Sequence, residues 1–239
     1  GIYYFTFSVG QRNGDGVRIG LGVERSSGRG SETELWCSSG NTDDINIQSR
    51  STLIELQAGN VVWISTLNPT VYSDDIDMQT TFTGFKYTPT EATSAAWSLH
   101  RLFPWVGGPG VGFDPLEFTD VSVNEGGIYD ETTDLLTISV AGYYYMEFNI
   151  GVLGGASGRP VSVRLMRNGE PGGDESTLGD VLASVVHEAI PEGHDSVGRS
   201  LIAKLKAGDV IRLVADENTG IFSDTERQTT FIGMLLYED

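Results

Sequence analysis

Three stretches of this chain occur twice, in the same order. Residues 1–10, GIYYFTFSVG, return as residues 142–151, GYYYMEFNIG. Residues 51–62, STLIELQAGNVV, return as 200–211, SLIAKLKAGDVI. Residues 71–85, VYSDDIDMQTTFTGF, return as 221–234, IFSDTERQTTFIGM, and both end in QTTFxG. The offsets are 141, 149 and 150 or 149, so the copies differ by a few loop residues. A chain that repeats itself must fold as something each copy can form, and this constrains the fold before any single motif does. Two full copies do not fit into 239 residues. The second copy extends back to about residue 93, so the first lacks the counterpart of residues 93–141, about 49 positions. The chain is therefore either a piece of a longer protein or carries a truncated first copy. The boundaries expected on this basis are 1–90 for the first unit and 91–239 for the second. Residues 86–96, KYTPTEATSAA, have the polar, proline-containing character of the linker between them.

Each copy reads as β-structure. Val17, Ile19, Leu21 and Val23 alternate with Arg18, Gly20 and Gly22, and Val161, Val163 and Leu165 alternate with Ser162, Arg164 and Met166. That period of two is a half-buried strand. The aromatic runs Tyr3–Phe7 and Tyr143–Phe148 are apolar on both faces, which suits a strand with a sandwich core on one side and a partner subunit on the other. Gly, Asn, Asp and Ser fill the connections, the 31 glycines suit many tight turns, and no stretch carries a capped helical period. Short strands at this spacing predict an all-β sandwich or jelly roll.

Charge excludes several partners. Thirty-three acidic residues against 15 basic give a net charge of −18. Phosphate backbones and anionic bilayers both require Lys and Arg, so neither nucleic acid nor a membrane surface is expected as a partner. No window is long and apolar enough for a membrane helix, so no membrane insertion is expected. The opening residues have no basic n-region or cleavage site, and there is no Asn-x-Ser/Thr sequon. Cys37, the single cysteine, cannot form an internal disulfide; beside Trp36 it reads as a small buried hydrophobe.

A set of motifs in the second unit resembles the globular heads of the complement C1q family, within the C1q/TNF group. They are Ala95-Ala-Trp-Ser-Leu, Phe103-Pro104, and the run from Phe118-Thr-Asp-Val-Ser-Val-Asn-Glu-Gly-Gly-Ile-Tyr-Asp to Thr133. Val140-Ala-Gly-Tyr-Tyr-Tyr-Met-Glu-Phe, Leu205-Lys-Ala-Gly-Asp-Val, Phe222-Ser-Asp and Thr230-Phe-Ile-Gly-Met-Leu-Leu continue the likeness to the end. The first unit matches from Gly1-Ile-Tyr-Tyr-Phe-Thr-Phe to Thr81-Phe-Thr-Gly-Phe-Lys-Tyr, without the opening strands. The resemblance implies a jelly roll of about ten strands in two antiparallel sheets and trimers that bury aromatic and aliphatic faces about an axis. A half jelly roll leaves strand edges unpaired, so the first unit must borrow strands from a neighbour or from an absent N-terminal segment. Three departures matter. Ile138 or Ser139 stands where many members have a cysteine, no Gly-X-Y stalk is present, and Asn60 replaces the aspartate that Asp209 supplies in the second copy.

Several clusters carry possible chemistry. Asp74, Asp75 and Asp77 pack three carboxylates into four residues, a hard-oxygen set for calcium or else a solvated acidic loop. Some C1q/TNF heads bind calcium near the top of the trimer. The resemblance places the corresponding ligands at Glu188 and Asp195 in the second unit and at Asp43 and Asp44 in the first. His187 and His194 lack the H-E-x-x-H spacing, and Pro191 and Gly193 prevent a helix from presenting both, so zinc is not expected. Arg159, Arg164 and Arg167 are a candidate patch for sialic acid or phosphate. The opposite parity of Arg164 and Arg167 puts them on opposite faces, which favours solvated charges instead. There is no nucleophile elbow and no phosphate loop, and nothing argues for an enzyme.

The resemblance implies a secreted, non-enzymatic C1q-type recognition protein, a homotrimer whose loops bind a glycan, a microbial surface or a protein ligand, with calcium as a possible cofactor. Two alternatives stand beside it: a TNF-like trimeric ligand for a cell receptor, and an acidic matrix protein that collects calcium at many weak sites.

Overall fold

The computed structural model describes residues 1–11, 18–25, 31–38, 46–66, 71–72, 80–88, 94–106, 115–153, 159–169, 179–189, 194–217 and 219–239. All regular structure among them is strand. The first unit supplies β1 (Ile2–Gln11), β2 (Arg18–Glu24), β3 (Ser31–Ser38), β4 (Asn46–Glu55), β5 (Val61–Thr66), β6 (Val71–Tyr72) and β7 (Thr81–Tyr87). β1 is flanked by β4 on one side and by β7 and β6 on the other, while β2 lies between β3 and β5 in a second sheet. The second unit supplies β8 (Ala96–Arg101), β9 (Trp105–Val106), β10 (Asp120–Glu125), β11 (Tyr129–Asp130), β12 (Leu135–Thr137) and β13 (Gly142–Leu153). It continues with β14 (Val161–Arg167), β15 (Asp180–His187), β16 (His194–Leu205), β17 (Val210–Ala215), β18 (Gly220–Phe222) and β19 (Thr229–Glu238). One sheet runs β10-β8-β19-β13-β18-β9 with β16 beside β13; the other runs β11-β12-β17-β14-β15. Every pairing is antiparallel, and the second unit is a two-sheet jelly roll.

The sequence repeat is also a repeat of register. Tyr4 lies opposite Leu53 and Phe85, and its counterpart Tyr145 lies opposite Ile202 and Met234. Phe7 faces Phe82 as Phe148 faces Phe231. The strand irregularity after Leu21 on β2 recurs after Leu165 on β14. Even the AG[N/D] turn is kept. Gly59 and Gly208 take φ of 90° and 89°, a left-handed conformation that glycine reaches without a Cβ penalty. Asn60 accepts a hydrogen bond from the Gln57 amide just as Asp209 does from the Lys206 amide, both at 2.9 Å. The exchange of Asp for Asn therefore leaves the turn intact.

Alternation explains the cores. Along β13, Tyr144, Met146, Phe148 and Ile150 point inward and join Trp97, Leu165, Leu213 and Phe231 in one large cluster. Along β1, Tyr3, Phe5, Phe7 and Val9 turn toward Leu21, Val23 and Ile54. Each such side chain removed from water contributes roughly 1.5–3 kcal/mol. The two units differ where the repeat is incomplete. β19 is held between β13 and β8, but among the described residues β7 pairs only with β1. Phe231 is consequently 1% exposed, whereas its counterpart Phe82 is 46% exposed. The sequence gives both rings the same core role, and Phe82 departs from it because no strand equivalent to β8 covers it among the described residues.

Candidate functional site

The aromatic strands present a second, outward face. On β13 it carries Tyr143, Tyr145, Glu147 and Asn149; on β1 it carries Ile2, Tyr4, Thr6 and Ser8. These faces meet. Tyr4 and Tyr145, which are repeat counterparts, sit edge to face with ring centroids 5.8 Å apart and hydroxyls 3.3 Å apart. Around them an apolar cluster joins Tyr4, Leu53 and Tyr87 of the first unit to Ala96, Val123, Ile232 and Met234 of the second.

Glu147 organises the polar part of this junction. Its carboxylate accepts from Ser51 Oγ at 2.7 Å, from Asn149 Nδ2 at 3.1 Å and from the Tyr145 hydroxyl. Ser51 also accepts from Tyr4, at 3.2 Å. Burial raises the Tyr145 phenol well above its usual range, and the neighbouring Glu147 charge adds to the shift, so this hydroxyl remains a donor to the carboxylate. Tyr87 closes the junction lower down by donating to the Ala95 carbonyl at 3.3 Å. A polar cleft of about 360 Å³ opens beside these residues, walled by Thr6, Gln48 and Ser49 from the first unit and by Glu147, Asn149 and Ser200 from the second.

The candidate residues read from sequence fall into three groups. Asp195 belongs to the junction: it receives His187 Nε2 at 3.2 Å, Gln48 Nε2 at 3.4 Å and the Ser196 amide at 2.7 Å. Ser196 Oγ in turn donates to Gln48 Oε1 at 3.0 Å. Glu188 lies exposed just beyond β15 and does not converge with it; only its main-chain carbonyl is engaged, by His187. Among the described residues no three His, Cys, Asp or Glu side chains gather as a metal would require. Asp195 and Glu188 thus form no calcium shell on their own, and an ion there would have to displace the groups that Asp195 already holds. Asp43, Asp44, Asp74, Asp75 and Asp77 lie outside the described residues.

The three arginines have different neighbours. Arg164 is paired with Asp216 at 2.6 Å, and Arg167 is paired with Asp180. Arg159 lies against Gly220. The two histidines are also apart in role: His187 ends β15 on Asp195, while His194 opens β16 and stacks on Phe222 at 4.0 Å.

This geometry coincides with a family match. The model of the C1q domain matches residues 1–86 and 109–236. The chain belongs to the C1q domain family. Similar curated proteins include human complement C1q and tumor necrosis factor-related protein 9B, 29% identical over 128 residues, which are 52% of this chain and 33% of that protein. The mouse complement C1q tumor necrosis factor-related protein 2 is 27% identical over 128 residues, again 52% of this chain and 38% of that protein. The chain therefore spans about a third of the length of the curated relatives it matches. Among solved structures, the globular domain of zebrafish complement 1qA overlays with a TM-score of 0.45 at 18% identity, covering 61% of this chain and 99% of that one. Murine APRIL at pH 8.5 gives a TM-score of 0.45 at 12% identity, with 60% and 100% covered. The C1q/TNF-related proteins it resembles are non-enzymatic ligand or recognition proteins.

Glu147 is the residue that sequence reasoning missed. Its one signal is position: it is the only charged residue in an otherwise aromatic and apolar run, Gly142–Phe148, where the first copy has Thr6.

Proposed function

We propose that this chain is a secreted recognition protein whose two heads present the same kind of loop set in a fixed mutual arrangement. The observation that carries this reading is the buried junction of Tyr4, Ser51, Tyr145 and Glu147 within a chain that matches the C1q domain across both copies. Two binding surfaces held rigidly act together on a repetitive target, because the second contact is intramolecular once the first has formed. Repetition is a property of glycans and microbial surfaces, and these are the proposed ligands. Domains of this family form homotrimers, which multiplies the effect. No helix among the described residues is long and apolar enough to cross a membrane.

Calcium enters the proposal only as an aid to ligand binding, with Asp195 exchanging His187 and Gln48 for the ion. Surface plasmon resonance on immobilised microbial polysaccharide tests the reading. Saturable binding that free sugar displaces supports it. Binding to cells that sugar does not touch, but that requires the intact assembly, would point instead to a receptor ligand. Many weak, non-saturating calcium sites would point to a matrix protein.

A further inference from the structure

The polar cleft between the units contains a carboxylate with no cation. Glu147 borders it, and the donors around this carboxylate are all neutral: Ser51, Asn149, Tyr145 and, at 3.5 Å, Tyr4. Among the described residues no basic side chain is paired with it. Arg199 also borders the cleft, but it is exposed and donates to the Ser184 carbonyl at 3.4 Å instead. A partly buried charge that only neutral groups surround attracts an opposite charge strongly. The net charge of −18 adds to this attraction and opposes acidic ligands.

Counting protons shows which acceptors are open. Tyr4 has one hydroxyl proton, which goes to Ser51 at 3.2 Å, and Ser51 gives its own to Glu147 Oε1 at 2.7 Å. Asn149 Nδ2 fills the same oxygen. Oε2 is left with Tyr145 as its donor, and a carboxylate oxygen accepts two hydrogen bonds. Asn149 supplies a second acceptor. Its amino group is committed to Glu147, which fixes the amide, and its Oδ1 receives no hydrogen bond among the described residues. Gly198, opposite it on β16, makes the room, because a Cβ there would come within 2.1 Å of that oxygen. The hydroxyl of Ser200, opposite Glu147, is a third acceptor. Three acceptors beside a negative charge match the three donors of a primary ammonium.

The other walls indicate what carries the ammonium. Thr6, Ser49 and Ser196 line the cleft with hydroxyls and Gln48 with an amide. A lysine side chain would lay methylenes against these groups and leave them unpaired, whereas a sugar ring meets them with hydroxyls of its own. The volume of about 360 Å³ lies at the small end of ligand sites, roughly 300–1,000 Å³, and suits one sugar residue. We propose that the cleft binds a hexosamine residue with a free amine, its ammonium against Glu147, Asn149 and Ser200 and its hydroxyls against Thr6, Ser49, Ser196 and Gln48. Neither head contains this site alone, since both units supply its walls and the first copy has Thr6 in place of Glu147. The inference rests on the reading of the chain as a glycan-recognition protein, and it places one sugar contact at the seam between the heads rather than on their loops.

Ligand-observed saturation-transfer NMR on the full chain tests it, with glucosamine, N-acetylglucosamine and glucose as probes. Glucosamine is expected to bind about tenfold more tightly than the other two, the effect of one charge-assisted contact. N-acetylation keeps the ring and removes the charge, so equal binding of the three sugars overturns the proposal. Glu147→Gln is expected to erase the preference. Ser200→Phe fills the cleft from an exposed position that makes none of the junction's hydrogen bonds, and it is expected to abolish glucosamine binding in a protein that still folds. Glucosamine that still binds Ser200→Phe, or that does not bind the wild type, overturns the proposal. The two readings fail separately. Polysaccharide capture that survives Ser200→Phe refutes the cleft alone, and glucosamine bound by a protein that captures no polysaccharide refutes the microbial-surface reading alone.

Discussion

Glu147 occupies the position where the first copy has Thr6, and its carboxylate draws Ser51, 96 residues away in sequence, together with Tyr145 and Asn149. Removing it leaves these donors without their charged acceptor in a partly buried site. Glu147→Ala is expected to cost about 1.5–3 kcal/mol, read by chemical denaturation; an unchanged midpoint would show that the junction is not held there. Its place in an aromatic run sets this acid apart from the 32 others, but its role comes from a long-range contact that no local pattern shows. His100 is a second residue-scale case. It is fully buried on β8, and burial lowers its pKa well below 6.5, with the Arg227 charge acting in the same direction. The folded state therefore prefers the neutral ring. That contribution is complete above pH 6.5 and is lost as the pH falls toward the folded value. The melting temperature should drop between about pH 7 and 5, and His100→Gln should flatten this part of the profile.

Strands were legible wherever alternation was clear, and the duplicated register of β1 with β4 and β13 with β16 follows from the duplicated residues. What could not be read was the effect of a missing neighbour on a strand that otherwise repeats. β7 and β19 share TTFxG, yet only β19 has β8 beside it. Phe231→Ala should cost about 3–5 kcal/mol as a core ring, and Phe82→Ala only about 1 kcal/mol as a half-exposed one. Their paired glycines make the same point. A Cβ on Gly233 would run into the buried Trp97 ring, while one on Gly84 would meet Phe5, whose ring lies beside the exposed Phe82. Gly233→Ala is expected to cost about 1–3 kcal/mol and Gly84→Ala less than about 1, compared in parallel thermal melts. Equal losses would mean that β7 is covered as fully as β19.

At the scale of the whole molecule, the family fold and the interface role of the aromatic strands were visible in sequence, because a strand apolar on both faces needs partners on both. That the partner is the other copy within the same chain was not visible, since the repeat gives no orientation. The candidate ligands show the same limit. Asp195, a candidate metal ligand in sequence, bridges the units through Gln48, a contact no local pattern announces, while Arg164 and Arg167 are each held by a separate aspartate. The central claim is that the two units are coupled through the Tyr4–Tyr145 face. Leu53, fully buried in that face, is the side chain to change. Calorimetry of the wild type and of Leu53→Asp tests the coupling most directly. The account predicts one cooperative transition in the wild type and two in the variant, with the incomplete first unit melting first. Two independent transitions already present in the wild type, and unmoved by Leu53→Asp, would contradict it.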